Sequence, residues 1–136
     1  MNRAALSKRE RDYLVTIFRL SEEFPVRVKD VADAFGVKEP TAYEYAMRLK
    51  RKNLLVLRRG VIKLTEKGEI MVGRILKAHR VLEIMFVMHG LDARKSCEEC
   101  SKIDYLMDDE SVDRLYEELG RPERCPHGEP VLVRSG

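Results

Sequence analysis

His79 and Glu83 stand four residues apart in an apolar-periodic stretch, which on a helix brings an imidazole and a carboxylate to one face, one turn apart. That is ligand spacing for a metal ion. Downstream, Cys97, Cys100, Ser101 and Asp104 repeat the helical i, i+3, i+4, i+7 pattern, and Asp12, on an earlier helix, could approach both sets. Imidazole, thiolate and carboxylate together suit iron, zinc, cobalt or nickel better than calcium or magnesium. A third group, Cys125-Pro126-His127, combines with Cys97-x-x-Cys100 into three thiols and one imidazole. That is the ligand count of a closed zinc site or an iron–sulfur cluster. Ordinary structural readings compete with these. Ala93, Cys97, Cys100, Ile103 and Met107 form an apolar stripe that could be core. A surface His79–Glu83 pair would be worth only about 0.2–0.5 kcal/mol.

The elements that must position these residues can be read from periodicity and end signals. Ser7-Lys8-Arg9-Glu10 is a capping box opening a helix whose apolar face is Tyr13, Leu14, Ile17, Phe18 and Leu20. A short helix follows from Lys29 to Phe35, closed by Gly36. A second runs from Pro40 to Lys52, with Ala42, Tyr45, Ala46 and Leu49 at helical spacing. Leu54–Leu57 and Val61–Leu64 alternate as two strands around Arg58-Arg59-Gly60, and Thr65 can start the next helix. Short helix, turn, second helix and two-stranded wing make a winged helix-turn-helix. Beyond it, an amphipathic helix is expected from Glu66 to about Met88. Two shorter helices should span Ala93 to about Met107 and Ser111 to Leu119, and an irregular tail runs from Arg121. The expected fold is therefore mainly α, a winged helix-turn-helix with a small β-hairpin wing followed by a helical dimerisation domain. The expected segments are 1–67, 68–121 and 122–136.

Charge separates the halves. Residues 1–68 hold 16 Lys+Arg against 9 Asp+Glu, whereas residues 69–136 hold 10 against 14. A basic first half points to phosphate, and in a winged helix to double-stranded DNA. Glu39, Pro40, Thr41, Tyr43 and Glu44 lie near the N-terminal end of the second helix, where base edges are reached. Lys38, Arg48, Arg51 and the wing-tip Arg58 and Arg59 suit phosphates. Tyr43 and Tyr45 cannot both face the core of one helix, so one of them is exposed. A helical trio this short leaves apolar surface uncovered unless it pairs, so a homodimer reading a palindrome is expected. No segment is apolar enough to span a membrane and no secretion signal is visible. With three cysteines this suggests a cytoplasmic protein with reduced or metal-bound thiols. No Ser/His/Asp set or phosphate-cradling glycine loop indicates an enzyme, and Gly68 or Gly73 alone carries no functional signal.

Taken in order, Asp12-Tyr13-Leu14, Asp30-Val31-Ala32, Pro40-Thr41, Leu64-Thr65-x-x-Gly68, His79-Arg80-x-Leu82-Glu83, Met107-x-Asp109-Glu110 and Cys125-Pro126-His127-Gly128-x-Pro130 resemble the DtxR/MntR family of metal-dependent transcriptional repressors. The resemblance covers residues 7–130. It implies a dimer that binds ferrous or manganous ion between its DNA-binding and dimerisation domains and then sets its winged helices at operator spacing. The chain stops before the SH3-like domain of longer members, which implies the two-domain form. Asp12 matches the family's first-helix ligand, and His79 and Glu83 match its long-helix ligands. Asp104 falls where the family has a glutamate, and Cys97 aligns with a histidine that ligates in some members. Val15 replaces a carboxylate found in some members, Ser101 stands where a Cys or Glu ligand is usual, and Tyr105 where a histidine is usual. The resemblance thus implies a rebuilt site drawn from Asp12, His79, Glu83, Cys97, Cys100 and Asp104, with iron the first expectation and manganese or zinc the alternatives. Two other functional classes fit the same residues: a redox or iron–sulfur sensor on Cys97, Cys100 and Cys125, and a winged-helix protein-interaction module.

Overall fold

The structure is a computed structural model describing residues 5–133. The chain forms two compact units, Met1–Val72 and Gly73–Gly136.

In the first unit, helix α1 (Lys8–Ser21) opens on the expected capping box: the Ser7 hydroxyl accepts from the Glu10 amide and Glu10 accepts from the Ser7 amide at 2.9 Å. Tyr13, Leu14 and Ile17 are fully buried. Strand β1 (Val26–Arg27) leads into α2 (Val28–Phe35), where Asp30 accepts from the Arg27 amide at 2.9 Å and Gly36 closes the helix in the left-handed conformation. Helix α3 (Glu39–Arg51) buries Ala42, Ala46 and Leu49. The Tyr13 ring lies between Phe35 and Tyr45, with centroids 3.9 and 4.4 Å away, and this stack ties α1 to the turn and to α3.

Strands β2 (Leu55–Arg58) and β3 (Val61–Leu64) pair antiparallel, with Arg58 opposite Val61. The connecting residues Arg59 and Gly60 both have positive φ, the primed turn that suits a twisted two-residue hairpin. The wing has one strand more than the sequence suggests. Strand β1 adds to β3 through Val26–Ile62 and Arg27–Val61, giving the order β1-β3-β2. A two-residue strand has too little alternation to be read from sequence.

Helix α4 (Glu66–Met88) starts beside the sheet. Thr65 accepts from the Gly68 amide at 3.0 Å and donates to the Asn53 carbonyl at 2.7 Å. Gly68 passes so close to the Leu54 backbone that a Cβ would stand 2.0 Å from its carbonyl oxygen. This glycine, without meaning as a phosphate-binding signal, is a packing requirement.

The second unit holds the rest of α4, α5 (Ala93–Ser101), a 3-10 turn (Asp104–Leu106) and α6 (Asp109–Glu118). Ala78, Val81, Val112 and Val131 are its apolar centre, flanked by Ile84, Met107, Leu115, Tyr116 and Leu119. The single helix expected from Ala93 to Met107 breaks at Ser101. The Ser101 hydroxyl donates to the Glu98 carbonyl, and Ile103 takes φ −130°, ψ −15°. Ile103 is consequently exposed, so the apolar stripe drawn through Ile103 and Met107 does not exist as one face.

The segment after Gly120 is irregular in secondary structure yet firmly bonded. Val131 donates its amide to the Glu123 carbonyl and is fully buried, and Arg124 bridges to Pro130.

Candidate metal centre and nucleic-acid face

The donors of the second unit gather around Glu83. Helical spacing carries His79 and Glu83 on the buried face of α4, with His79 Nε2 3.6 Å from Glu83 Oε2. Cys97, from α5, brings its Sγ to 3.5 Å from the same His79 Nε2. One donor atom from each of these residues lies within 4.8 Å of the others. A second triple, Glu83, Cys125 and His127, meets the same limit. His127 Nδ1 is 2.8 Å from Glu83 Oε2.

The loop carrying Cys125 and His127 owes its shape to local chemistry. Gly128 donates its amide to the Cys125 carbonyl at 2.9 Å, closing a turn with Pro126 at its second position and Gly128, at φ +81°, at its last. The Cys125 amide donates to Glu129, and the buried Arg80 guanidinium donates to the Pro130 carbonyl. Arg80 is a positioning residue that sequence reading passed over. Its signal was a charged residue on the face of α4 that also carries ligands.

Asp104 does something other than the ligand role expected of it. The break after Ser101 swings it behind the imidazole, where its carboxylate, with no solvent exposure, lies 2.9 Å from His79 Nδ1. With Nδ1–H donating to Asp104, loss of the second ring proton would leave the Nε2 lone pair facing Glu83 and Cys97, the arrangement of a metal-ligating histidine backed by a carboxylate. Cys100 is buried and belongs to neither triple. Burial, with the charges of Glu83 and Asp104, pushes its thiol up to about 12, which keeps it protonated while no metal is bound. The closed set of three thiols and one imidazole is therefore not what the fold assembles: Cys97 and Cys125 fall in different triples. Asp12 lies in the first unit, where Lys8 holds it at 2.7 Å and Arg11 at 3.0 Å.

The electrostatics suit a cation. Burial disfavours the His79 cation, but the Asp104 and Glu83 hydrogen bonds and charges outweigh it and raise His79 above its ordinary 6.5. Burial likewise opposes ionised Glu83, yet His79, with help from Cys125 and His127, holds it below 4.5. Burial and the Glu83 charge raise Cys125, against backbone N–H groups that lower it. Two buried carboxylates thus face the His79 imidazole, and their charge favours its protonated form. A divalent ion fits this donor set, which offers sulfur, nitrogen and oxygen in a cluster short of positive charge.

In the first unit, most of the residues expected to meet DNA are exposed. Lys38, Glu39, Pro40, Thr41, Tyr43 and Glu44 are all exposed at the start of α3, as are Arg51 and the wing-tip Arg58 and Arg59. Tyr43 is 48 % exposed while Tyr45 stacks on Tyr13, which resolves the choice between the two. Val28, Glu39, Pro40 and Tyr43 line an open groove there. Arg48 is held by Glu44 at 2.9 Å and lies over the Tyr45 ring.

Comparison with known proteins covers most of the chain in two successive matches. Residues 5–60 match the family model described as the iron dependent repressor, N-terminal DNA binding domain, and residues 65–132 match that of the iron dependent repressor, metal binding and dimerisation domain. The chain is 30% identical over 123 residues to the diphtheria toxin repressor of Corynebacterium glutamicum, covering 88% of this chain and 54% of that protein. It is 30% identical over 107 residues to the transcriptional regulator MntR of Bacillus pumilus, covering 76% and 74%. A crystal structure of a hypothetical protein from Sulfolobus solfataricus superposes with a TM-score of 0.79 at 32% identity, covering 94% of this chain and 100% of that one. The chain spans about half the length of several curated relatives it matches. With both family models matched in order and the second alone spanning half of the sequence, the chain belongs to the iron-dependent repressor family.

Proposed function

We propose that this protein is a DNA-binding transcriptional repressor whose affinity for a palindromic operator depends on a divalent transition ion held around Glu83. It acts as a homodimer in the cytoplasm and has no catalytic role. The observation that carries the reading is the convergence of His79, Glu83 and Cys97 donor atoms within 4.8 Å on a largely buried surface. The relatives' names, iron-dependent and manganese-dependent regulators among them, support it. Among the described residues no helix is long and apolar enough to cross a membrane.

His79, Glu83 and Cys97 would hold the ion, with Cys125 and His127 beside them. When bound, the ion supplies the positive charge that the two buried carboxylates otherwise draw from protonated imidazole. Asp104 fixes the His79 tautomer, and Arg80 fixes the loop that presents Cys125. The exposed start of α3 reads base edges, and Arg51 with the wing arginines meets phosphates. If the metal-bound form is also the form that grips DNA, each ligand must tighten the other by the same factor. The sulfur donors favour iron over manganese, with zinc as the competing fit.

Selection from a genomic DNA pool, with ferrous ion present and again with a chelator, tests the reading. Chelator-sensitive recovery of a palindrome is expected. Recovery of the same sequence regardless of chelator would overturn it and leave a metal-independent winged-helix regulator.

A further inference from the structure

Helix α3 presents an acid at the middle of the face expected to meet DNA. Glu44 stands two residues from Ala42 and two from Ala46, both buried, so helical geometry puts it on the side opposite the core, on one ridge with Pro40 and Arg51. Its side chain is 61 % exposed. Glu39, the other acid of this helix, lies in the first turn, where a carboxylate suits the macrodipole. Glu44 lies a turn further in and lacks that reason. A carboxylate turned toward duplex DNA is repelled by the phosphates, and its favourable partner there is the exocyclic amino group of a base, cytosine N4 above all. We propose that Glu44 is the specificity-determining residue of α3, its carboxylate accepting from cytosine N4 in the major groove, and that Arg48 is the positioning residue that aims it. The proposal rests on the DNA-binding reading above and adds which residue selects the operator sequence and which base it selects.

The structure already holds this carboxylate in place. Arg48 Nη2 donates to Glu44 Oε1 at 2.9 Å, and the Arg48 guanidinium lies 4.9 Å from the centre of the Tyr45 ring. Tyr45 stacks on Tyr13, which is fully buried and stacks in turn on Phe35. Glu44 is therefore fastened, through a cation and two stacked rings, to the core of the first unit. A surface pair one turn apart stabilises a helix little. With one end seated over a ring, however, it fixes a rotamer, and directional reading of a base needs a group whose orientation is set in advance. Oε1 takes the Arg48 bond, and a carboxylate has a second oxygen to accept from the base. The Arg48 charge also offsets the repulsion between Glu44 and the phosphates that flank the base. On this reading Arg48 is not one of the phosphate contacts.

The test is sequence selection by the full chain from a randomised duplex pool with ferrous ion present, for wild type, Glu44→Gln, Arg48→Met and Arg48→Lys. Affinities for the selected operator are then measured across a salt series. Wild type should select cytosine at one symmetry-related pair of positions, and replacing that base should weaken wild-type binding at least about fivefold. Glu44→Gln should move the preference there from cytosine to adenine, since an amide offers the donor and acceptor that adenine N7 and N6 require. Arg48→Met should flatten the preference at that position and leave the salt slope unchanged, and Arg48→Lys should restore part of the preference. Selection of one and the same sequence by wild type and Glu44→Gln would overturn the role given to Glu44. A salt slope reduced by about one in Arg48→Met, with the preference intact, would overturn the role given to Arg48 and make it a phosphate contact. Either result leaves the repressor reading standing, because wild type still captures an operator. A wild type that selects no sequence defeats that reading and the proposal with it.

Discussion

His79 Nδ1 lies 2.9 Å from a carboxylate oxygen of Asp104, a residue with no solvent exposure. The contact leaves the other ring nitrogen facing Glu83 and Cys97, so in the proposed function Asp104 would orient a ligand from behind. Asp104→Ala should lower metal affinity by roughly 10–100-fold, the usual cost of removing such an outer partner. Competition against a chromophoric chelator measures it, and an unchanged affinity would show that the imidazole is oriented by something else.

Arg80 acts on the segment that carries two further donors. Its guanidinium donates to the Pro130 carbonyl and so fastens the loop that carries Cys125 and His127. In Arg80→Met, hydrogen exchange at the Cys125 and Val131 amides should accelerate roughly tenfold, about the worth of one net hydrogen bond. Exchange at wild-type rates would mean that the turn at Pro126 and Gly128 holds the loop unaided.

Gly68→Ala should destabilise the first unit by on the order of 3 kcal/mol, because the added methyl meets backbone that cannot rotate away. The contact is the Leu54 carbonyl, 2.0 Å from the new Cβ. A fall of less than about 0.5 kcal/mol in urea unfolding would contradict the close approach of α4 to the sheet.

Much of the frame was legible because it is local. The Ser7–Glu10 box, Gly36, and the Arg59-Gly60 turn each declare themselves within four residues, and His79 with Glu83 needs only the helical period. What stayed hidden depends on partners distant in sequence. Strand β1 is defined by Ile62 and Val61 rather than by its own two residues. Gly68 matters because of Leu54. Asp104 looked like a ligand because α5 was extended to Met107; the break at Ser101 turns it toward His79 instead. Cys125 and His127 were visible as donors, but their shared neighbour, Glu83, was not.

Glu10 links the capping box to α3. Its carboxylate accepts from the Ser7 amide and pairs with Lys52 at 2.7 Å. Burial opposes its charge, but Lys52 and Ser7 prevail and hold it below 4.5. Because the folded value is depressed, the stabilisation is complete above 4.5 and disappears as pH falls through the lower folded value. Glu10→Gln should therefore cost about 1–2 kcal/mol at neutral pH and progressively less in acid. Denaturant midpoints of both proteins across that range measure it; a difference that grows in acid would contradict the assignment.

Arg51 is exposed on α3 and, in the proposed complex, meets a phosphate. Arg51→Ala should weaken binding to all sequences alike and reduce the salt slope by about one. An unaltered slope would remove Arg51 from the DNA face.

Metal held around Glu83 is proposed to tighten DNA binding, and the decisive quantity is the equilibrium affinity for one selected operator. It is measured at fixed ionic strength for wild type and His79→Ala, each with ferrous ion and with chelator. Wild type should bind at least about fivefold more tightly with the ion, the lower end of ordinary allosteric coupling, and His79→Ala should lose that difference while remaining folded. Equal wild-type affinities in the two conditions, with metal occupancy verified, would contradict the claim.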